Sequence, residues 1–161
     1  MKAVVQRVAS ASVRADGEEL ARIGPGMLVL VGALRGDGEA QAARLAERIA
    51  RLRFFADEHD RMNLSALDLG REALVVSQFT LAADGRRGRR PSFDAAADPR
   101  EAEGLIEVFV ARLRSLGIAC RTGRFGARMQ VELVNDGPVT FCLDEARPAP
   151  AGSGGPSQAL A

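Results

Sequence analysis

Residues 3–31 read "AVVQRVASASVRADGEELARIGPGMLVLV", and this stretch sets the architecture that we predict. It contains three strand-like runs, at residues 3–13, 19–23 and 27–31, and the turns between them are short. Apolar and β-branched residues in such runs, bounded by turn residues, are typical of antiparallel strands that follow one another closely. The stretch therefore predicts an antiparallel meander.

Two amphipathic helices are expected after this stretch. Within residues 39–54, Leu45 and Ile49 recur at helical spacing on one face, and arginines and glutamates occupy the opposite face. The second helix has clear start and stop signals: Asp98 is a good N-cap, a proline follows it, and Gly117 comes just past the last apolar position. Each helix has one apolar face, so we expect both to pack on a sheet.

Four further strands complete the predicted fold, at residues 73–77, 118–122, 129–134 and 139–143. The third of these alternates apolar and polar residues, which is the pattern of a strand with one buried face. The fold class is accordingly α/β of the α+β-like kind, with a mostly antiparallel β-sheet or barrel and two amphipathic helices packed on it.

Length and composition limit the domain count and the cellular class. A chain of 161 residues with 47% hydrophobic and 27% charged residues is ordinary for one globular domain, which we place at residues 1–145. Residues 146–161 are rich in Pro, Gly, Ser and Ala, which predicts a flexible tail or, alternatively, a short ordered extension along the surface. The N-terminus lacks a signal-peptide core and no apolar run approaches a membrane span, so we expect a cytoplasmic protein.

The run "LVNDGPVTF" at residues 133–141 interrupts one strand and resumes at once as another. Asn, Asp, Gly and Pro are the residues that turns select, because they tolerate positive φ, bond to nearby backbone or fix φ. Residue chemistry alone therefore favours a β-turn at residues 135–138.

Conventional catalytic centres find little support in the sequence. His59 is the only histidine, and in the charged loop "DEHD" a solvated residue is the more ordinary interpretation than a catalytic base. Asp57, Glu58, His59 and Asp60 are adjacent, whereas metal ligands usually alternate or come from separate elements. We therefore expect no metal and no cofactor. Two lone cysteines, at positions 120 and 142, are interpreted as buried reduced thiols.

The segment "SQFTL" at residues 77–81 is a better candidate, because it follows the apolar strand directly. Hydroxyl and amide groups at the end of a buried strand can line a site, and the backbone N–H groups there can serve as oxyanion donors. The alternative is that Ser77 and Thr80 merely satisfy backbone groups at a strand end.

Arginines separated by glycine form a third candidate, the loop "GRRGRRPSF". Guanidinium groups match phosphate oxygens, so such a loop suits RNA, although a solvated surface loop is the commoner meaning of a charge run. With a net charge of +1, nucleic-acid binding must come from a local patch of this kind. The arginines singled out as candidate tRNA-binding residues are Arg86, Arg87, Arg89, Arg90 and Arg124.

Five segments together carry a resemblance to one family. They are "QRVASASV" at residues 6–13, "MNLS" at 62–65, "LVVSQFTLAAD" at 74–84, "RPSF" at 90–93 and "TGRFGARMQVELVNDGPVTF" at 122–141. In this order the sequence closely resembles the D-aminoacyl-tRNA deacylases from Met1 to about Leu143. The tail after Asp144 is absent from the family pattern, so the resemblance implies nothing about it.

The resemblance implies that Gly137 and Pro138 are joined by a cis peptide bond and form the motif that reads chirality. It further implies a homodimer with active sites at the subunit interface, in which each motif inserts into the active site of the other subunit. A rigid Gly-Pro backbone leaves no side chain to flex, so an L-amino acid would collide with main chain. This interpretation replaces the simple turn.

The resemblance also implies that Ser77, Gln78, Phe79 and Thr80 line the catalytic pocket for the terminal adenosine and the ester carbonyl. Thr80 has no evident general base in the sequence, so we assign it a positioning role instead of that of a nucleophile. The ribose 2′-hydroxyl of the tRNA is expected to assist attack on the ester, while N–H groups near Phe79 and Thr80 hold the oxyanion.

The leading hypothesis is a hydrolase that cuts the ester of D-aminoacyl-tRNA, and of glycyl-tRNA mischarged on tRNA-Ala, and so proofreads chirality by excluding L-amino acids. A non-catalytic RNA-binding module that uses the arginine loop is the alternative from another class. A general esterase with Thr80 as nucleophile is the third hypothesis.

Overall fold

The structure is a computed structural model that describes residues 1–86 and 88–145. The predicted tail, residues 146–161, and Arg87 lie outside the described residues. The elements in chain order are β1 (Lys2–Ala15), β2 (Glu18–Ile23), β3 (Gly26–Gly32), α1 (Glu39–Arg51), β4 (Phe55–Ala56), β5 (Met62–Leu64), β6 (Glu72–Ser77), a 3₁₀ helix (Phe79–Ala82), α2 (Pro99–Ser115), β7 (Cys120–Thr122) and β8 (Met129–Asp144).

β1 organises the sheet, because three strands pair with it and all three are antiparallel to it. β8 pairs with β1 from Lys2↔Asp144 to Ala15↔Met129. β2 and β3 share the other edge of β1, β2 beside residues 11–15 and β3 beside residues 2–8. This differs from the meander expected from the sequence, in which each strand would pair with the next. The reason is that β1 is long enough to pair with both strands in succession.

The second half of the sheet is parallel: β3 pairs with β6, and β6 pairs with β7. α1 lies in the connection from β3 to β6 and α2 in that from β6 to β7, which is how a chain returns to start a parallel strand. β3 and β6 are buried along most of their length, and this explains their nearly continuous apolar runs. The predicted fold class is confirmed, with antiparallel pairings around β1 and a parallel β3–β6–β7 portion.

Two hydrophobic cores lie on opposite faces of the sheet. The larger core joins α1 and α2 to the sheet, and it includes Leu45, Ile49, Phe109, Leu113 and Phe54. The smaller core is enclosed by the sheet itself as it curls into a nearly closed barrel. Its members are Val8, Ala11, Val13, Ile23, Leu28, Leu74 and Val76, with Met129, Val131 and Leu133 packed against them.

β8 contributes to both cores and changes from one to the other near its middle. Met129, Val131 and Leu133 pack against the smaller core, whereas Val139 and Phe141 pack against the larger one. The changeover coincides with residues 135–138, where the register against β1 shifts. The segment expected to be a turn from residue chemistry is thus an irregular part of one continuous strand.

Both helices follow local signals in the sequence. The Asp98 carboxylate accepts a hydrogen bond from the N–H of Arg100 at 3.0 Å, as expected of an N-cap, and Pro99 is the first helical residue. α1 ends at Arg51 and not at residue 54, because Leu52 is already extended, with ψ of 126°. Within the described residues, neither helix combines the length and apolarity that crossing a membrane requires.

Candidate active site

A cleft of about 850 Å³ opens at the carboxyl ends of the parallel strands β3 and β6. Crevices at this edge of a parallel sheet are common ligand sites, because the strands end there while the following loops diverge. One wall is formed by the ends of these strands and another by the start of α2. Further lining comes from Arg35 after β3, from Phe93, Ala96 and Ala97, from the loop at residues 125–127, and from Met129 and Val131 of β8.

Three of the four residues of the predicted pocket line this cleft: Ser77, Gln78 and Phe79. The N–H of Gln78 donates to the carbonyl of Val31 at 2.8 Å, which fixes the start of the 3₁₀ helix against the end of β3. Gly32 permits this approach, because a Cβ there would lie 2.6 Å from the carbonyl oxygen of Gln78. The backbone of the segment is therefore held in place by the sheet.

Thr80, the fourth residue, is exposed and is not among the residues that line the cleft. Its hydroxyl oxygen accepts a hydrogen bond from the side-chain amide of Gln78. Among the described residues, no carboxylate or imidazole bonds to the Thr80 hydroxyl. Thr80 begins the 3₁₀ helix with Phe79, and the first hydrogen bond inside that turn is donated by the next residue, Leu81. The N–H groups of Phe79 and Thr80 therefore donate none of the hydrogen bonds inside the turn.

Three phenylalanines give the cleft an aromatic character. Phe79 and Phe93 pack against each other with ring centroids 5.1 Å apart, and both are partly exposed. Phe125 lines the cleft from the loop before β8. Aromatic rings in such positions stack on nucleobases without regard to sequence. Sequence reasoning did not assign Phe93 or Phe125 a role, although both lie within the segments "RPSF" and "GRFGA" that carried the resemblance.

Gly137 and Pro138 are joined by a cis peptide bond, and both residues are exposed. Neither lines the cleft of its own chain. The Asn135 side chain closes the segment, since its Oδ1 accepts from the N–H of Val139 at 2.8 Å and its Nδ2 donates to the carbonyl of Val139 at 3.1 Å. The motif therefore protrudes from β8 on a short, braced segment.

Arg7 provides a second brace for this motif. Its Nε donates to the carbonyl of Asp136 at 2.9 Å and lies 3.1 Å from the carboxylate of the same residue, while one terminal nitrogen donates to the carbonyl of Phe54 at 2.7 Å. The Arg7 side chain is only 13% exposed, and its bond to Phe54 is partly buried, whereas the Asp136 side chain is 58% exposed. Nothing local in the sequence connects Arg7 with Asp136, and sequence reasoning missed it.

The arginine loop is closed at its base by an antiparallel pair of bonds between Asp84 and Ser92, at 2.8 and 2.9 Å. Arg86 is already paired with Asp84 at 2.6 Å, and hydrogen bonds from Arg86 lower the pKa of the Asp84 carboxyl to about 2. Arg89 and Arg90 are exposed, and within the described residues neither has an ion-pair partner. Phe93 follows the base of the loop directly, so the loop is attached to the wall of the cleft.

The other predicted arginines are less well placed to bind RNA phosphates. Arg124 lies beside two carboxylates, 3.4 Å from Asp16 and 3.6 Å from Glu18, so part of its charge is already neutralised. Arg87 lies outside the described residues. Among the described residues, Arg86 and Arg124 thus neighbour carboxylates, whereas Arg89 and Arg90 have no ion-pair partner.

The single histidine and the cysteines lie apart from the cleft. His59 is exposed and its Nε2 is 3.5 Å from Glu58. Backbone N–H groups of Arg61 and His59 bond to Asp57 and lower its pKa, which is the geometry of a braced surface turn. In the described ranges, no three His, Cys, Asp or Glu side chains are placed to hold a metal ion.

The interpretation of both cysteines as buried is wrong for one of them. Cys142 is exposed, because it lies on the outward side of β8. Cys120 is partly buried, and this burial raises the pKa of its thiol to about 11. Both thiols are free.

Sequence comparisons of this chain with known proteins agree on one family. Residues 4–144 match the sequence profile of the family described as D-Tyr-tRNA(Tyr) deacylase. The chain is 59% identical over 144 residues to a D-aminoacyl-tRNA deacylase of Ruegeria pomeroyi, covering 89% of this chain and 99% of that protein. It is 61% identical over 146 residues to a D-aminoacyl-tRNA deacylase of a Roseiflexus species, covering 91% and 94%.

Two solved structures are similar in fold. A protein described as c-Myc DNA Unwinding Element Binding Protein aligns with a TM-score of 0.86 and 40% identity, covering 91% of this chain and all of the other. A probable eukaryotic D-amino acid tRNA deacylase aligns with a TM-score of 0.76 at 15% identity, covering 88% and 97%. The second likeness concerns the fold alone.

Proposed function

This chain belongs to the D-aminoacyl-tRNA deacylase family, and we propose that it reads the chirality of its substrate with main-chain atoms of the Gly137–Pro138 motif. It is an ester hydrolase that acts on D-aminoacyl-tRNA, releasing free D-amino acid and tRNA. Such a reaction proofreads translation by removing amino acids of the wrong hand.

The cleft at the ends of β3 and β6 is the observation that supports the proposed site. Its aromatic side chains, Phe79, Phe93 and Phe125, suit the terminal adenine, because a base stacks on aromatic rings. Ser77 and Gln78 supply polar groups at the same wall. We place the terminal adenosine between these walls, with the ester carbonyl beside the start of the 3₁₀ helix.

We propose that the chirality motif is supplied by a second copy of the chain. Gly137 and Pro138 are exposed on β8 and do not line the cleft of their own chain, which supports their meeting the substrate in another subunit's cleft. The same strand exposes an apolar residue, Val134, at 58%, which a partner subunit would cover. We therefore propose a homodimer with its active sites at the subunit interface, each built from the cleft of one subunit and the motif of the other.

The proposed chemistry uses the RNA as well as the protein. Water adds to the ester carbonyl with help from the 2′-hydroxyl of the terminal ribose, and the N–H groups of Phe79 and Thr80 bond to the oxyanion that forms. The bond between the carbonyl carbon and the ribose oxygen then breaks, and that oxygen takes up a proton. This mechanism needs no histidine. It suits the cleft, because the charged residues in its described lining are Arg35, Asp98 and Glu101.

Replacing Thr80 with alanine is expected to leave measurable turnover, because its hydroxyl only accepts a bond from Gln78 and its N–H group remains. We expect a loss in kcat of no more than about tenfold, the order of one neutral hydrogen bond. Mass spectrometry of the wild-type enzyme stopped during turnover should show no acyl-enzyme. A covalent adduct on Thr80 would instead support a general esterase with a threonine nucleophile.

The arginine loop is the proposed contact with the tRNA backbone. Arg89 and Arg90 are the stronger candidates, because they are exposed and unpaired within the described residues, whereas Arg86 and Arg124 already neighbour carboxylates. Phosphate contacts made by such residues release counterions and bind RNA without regard to sequence. Since the substrate is aminoacyl-tRNA, we place the enzyme in the cytoplasm.

Deacylation of D- and L-tyrosyl-tRNA at matched enzyme concentration tests the proposed function. The D-ester should be hydrolysed and the L-ester should survive as long as it does in buffer. A non-catalytic nucleic-acid-binding module is the second candidate, favoured by the exposed arginines and by the name of the 40% identical structure. That candidate predicts retention of tRNA on a filter with no release of either amino acid.

A further inference from the structure

Arg35 is the one basic side chain among the described residues that line the cleft. The other charged lining residues are Asp98 and Glu101, both at the start of α2. Arg35 lies in the turn that follows β3, away from the arginine loop in sequence. Its position and charge are not explained by the proposed chemistry.

The backbone of Arg35 is held on two sides. Its own N–H donates to the carbonyl of Ala95 at 2.8 Å, so the residue is tied to the segment that forms a wall of the cleft. The N–H of the preceding residue, Leu34, donates to the Asp37 carboxylate at 2.7 Å, and the N–H of Asp37 donates back to the carbonyl of Leu34 at 3.0 Å. Arg35 therefore starts from a fixed backbone position.

The side chain of Arg35, by contrast, is exposed and makes no hydrogen bond or ion pair within residues 1–86 and 88–145. The nearby Asp98 carboxylate is engaged as the cap of α2, through its bond to the N–H of Arg100. The Arg35 guanidinium therefore lies in the cleft on a fixed backbone and has no partner among those residues. It is available to bind an anionic ligand. Planar guanidinium groups bind phosphate oxygens with two parallel hydrogen bonds.

We propose that Arg35 binds the phosphate group on the 5′ side of the terminal adenosine of the tRNA. This inference rests on the proposed function, because it requires the terminal adenosine to occupy the cleft. That adenosine carries one phosphodiester, through which it is joined to the rest of the RNA. In the described part of the cleft, Arg35 is the cation that can bind this phosphate. The cleft should therefore prefer a nucleotide to a nucleoside.

The test compares substrates that differ only in this phosphate. Arg35→Gln and wild type are assayed with the 3′-D-tyrosyl ester of adenosine and with the same ester of adenosine 5′-monophosphate. For the phosphorylated ester, the variant should raise KM about tenfold, the order of a lost charge-assisted hydrogen bond. For the phosphate-free ester, KM should match that of wild type. With whole tRNA, one lost phosphate contact should lower the slope of log KM against log salt by about 0.7.

Two further variants sharpen the result. Arg35→Lys keeps the charge but not the planar fork, so its KM should fall between those of wild type and Arg35→Gln. Arg100→Gln removes a neighbouring exposed arginine that does not line the cleft, and it should leave both substrates unaffected. If Arg35→Gln behaves like Arg100→Gln, or alters both esters equally, Arg35 does not bind this phosphate.

Binding without turnover separates this inference from the proposed function. Wild type should bind adenosine 5′-monophosphate more tightly than adenosine by calorimetry, and Arg35→Gln should bind the two equally. A wild-type enzyme that hydrolyses no D-aminoacyl ester counts against the proposed function, whatever the calorimetry shows. Equal binding of nucleotide and nucleoside by wild type counts against Arg35 alone.

Discussion

Replacing Gly137 with alanine is expected to lower kcat/KM for D-tyrosyl-tRNA by about 100-fold or more, the scale set by a misplacement of about 1 Å in an active site. Gly137 has a φ of +147°, a conformation that residues with a Cβ rarely adopt. A Cβ there would lie 2.6 Å from both the backbone nitrogen and the Cγ2 of Val139. The backbone must therefore shift, and with it the carbonyl groups that are proposed to meet the substrate.

A matched glycine provides the control. Gly104 lies in α2, a Cβ added to it would meet no atom within 4 Å, and it does not line the cleft. Gly104→Ala should keep full activity and stabilise the fold by about 0.5–1 kcal/mol, because alanine suits a helix interior better than glycine. Thermal unfolding of both variants, followed by circular dichroism, distinguishes loss of the active site from loss of the fold. Full D-specific activity in a folded Gly137→Ala enzyme would refute main-chain reading of chirality by this motif.

Gly137→Ala also tests whether the active site is shared between subunits. Phe79→Ala removes an aromatic wall of the cleft and should itself lower activity about 10- to 100-fold, the range of one base-stacking contact. A heterodimer of the two variants, isolated through a different tag on each chain, contains one site with both parts intact. It should recover about half of wild-type activity, since one of the two symmetric sites is restored. Recovery of none would mean that each cleft uses its own motif, and failure to isolate any mixed species would contradict the dimer.

Glycyl-tRNA is expected to be hydrolysed at a rate within about tenfold of D-alanyl-tRNA, whereas L-alanyl-tRNA should react about 100-fold more slowly than either, the order of a methyl group forced into a packed site. A pocket that selects by gripping a D-side chain would reject glycine, which has no side chain. A pocket that selects by excluding the L-Cβ cannot reject it, because glycine presents only hydrogen on that face. The exposed backbone of Gly137 and Pro138 favours exclusion.

The measurement is deacylation of glycyl-, D-alanyl- and L-alanyl-tRNA at one enzyme concentration, with tRNA-Ala as the common carrier. The absence of Trp and Tyr from the chain leaves only phenylalanines to form an aromatic box around a side chain, and those of the cleft are proposed to hold the adenine. If glycyl-tRNA survives as long as the L-alanyl ester, the enzyme recognises the D-side chain positively. The exclusion mechanism would then be wrong.

Sequence patterns predicted the features that depend on residues close together in the chain. The start of α2 was predictable because Asp98 caps a helix through a bond to the N–H of Arg100, two residues away. The alternation of Met129, Val131 and Leu133 correctly predicted the face of β8 that packs on a core. Residues 77–79 directly follow a buried strand and line the cleft, and their role in the reaction stays a prediction. The domain boundary at residue 145 stays a prediction.

Pairing across long separations was decided by the tertiary structure. Turn chemistry at residues 135–138 favours a reversal of the chain, but Asn135 and Arg7 hold these residues within a continuous strand, and Arg7 lies 129 residues from Asp136. Likewise, the apolar runs of β3 and β6 do not reveal that the strands are parallel, since a strand buried on both faces reads the same in either direction. The exposure of Cys142 and the neutralisation of Arg86 and Arg124 depend on which neighbours surround them. Local propensity and capping act over a few residues, whereas strand partners, ion pairs and cleft walls are chosen by packing of the whole chain, and this is why only the folded structure could place them.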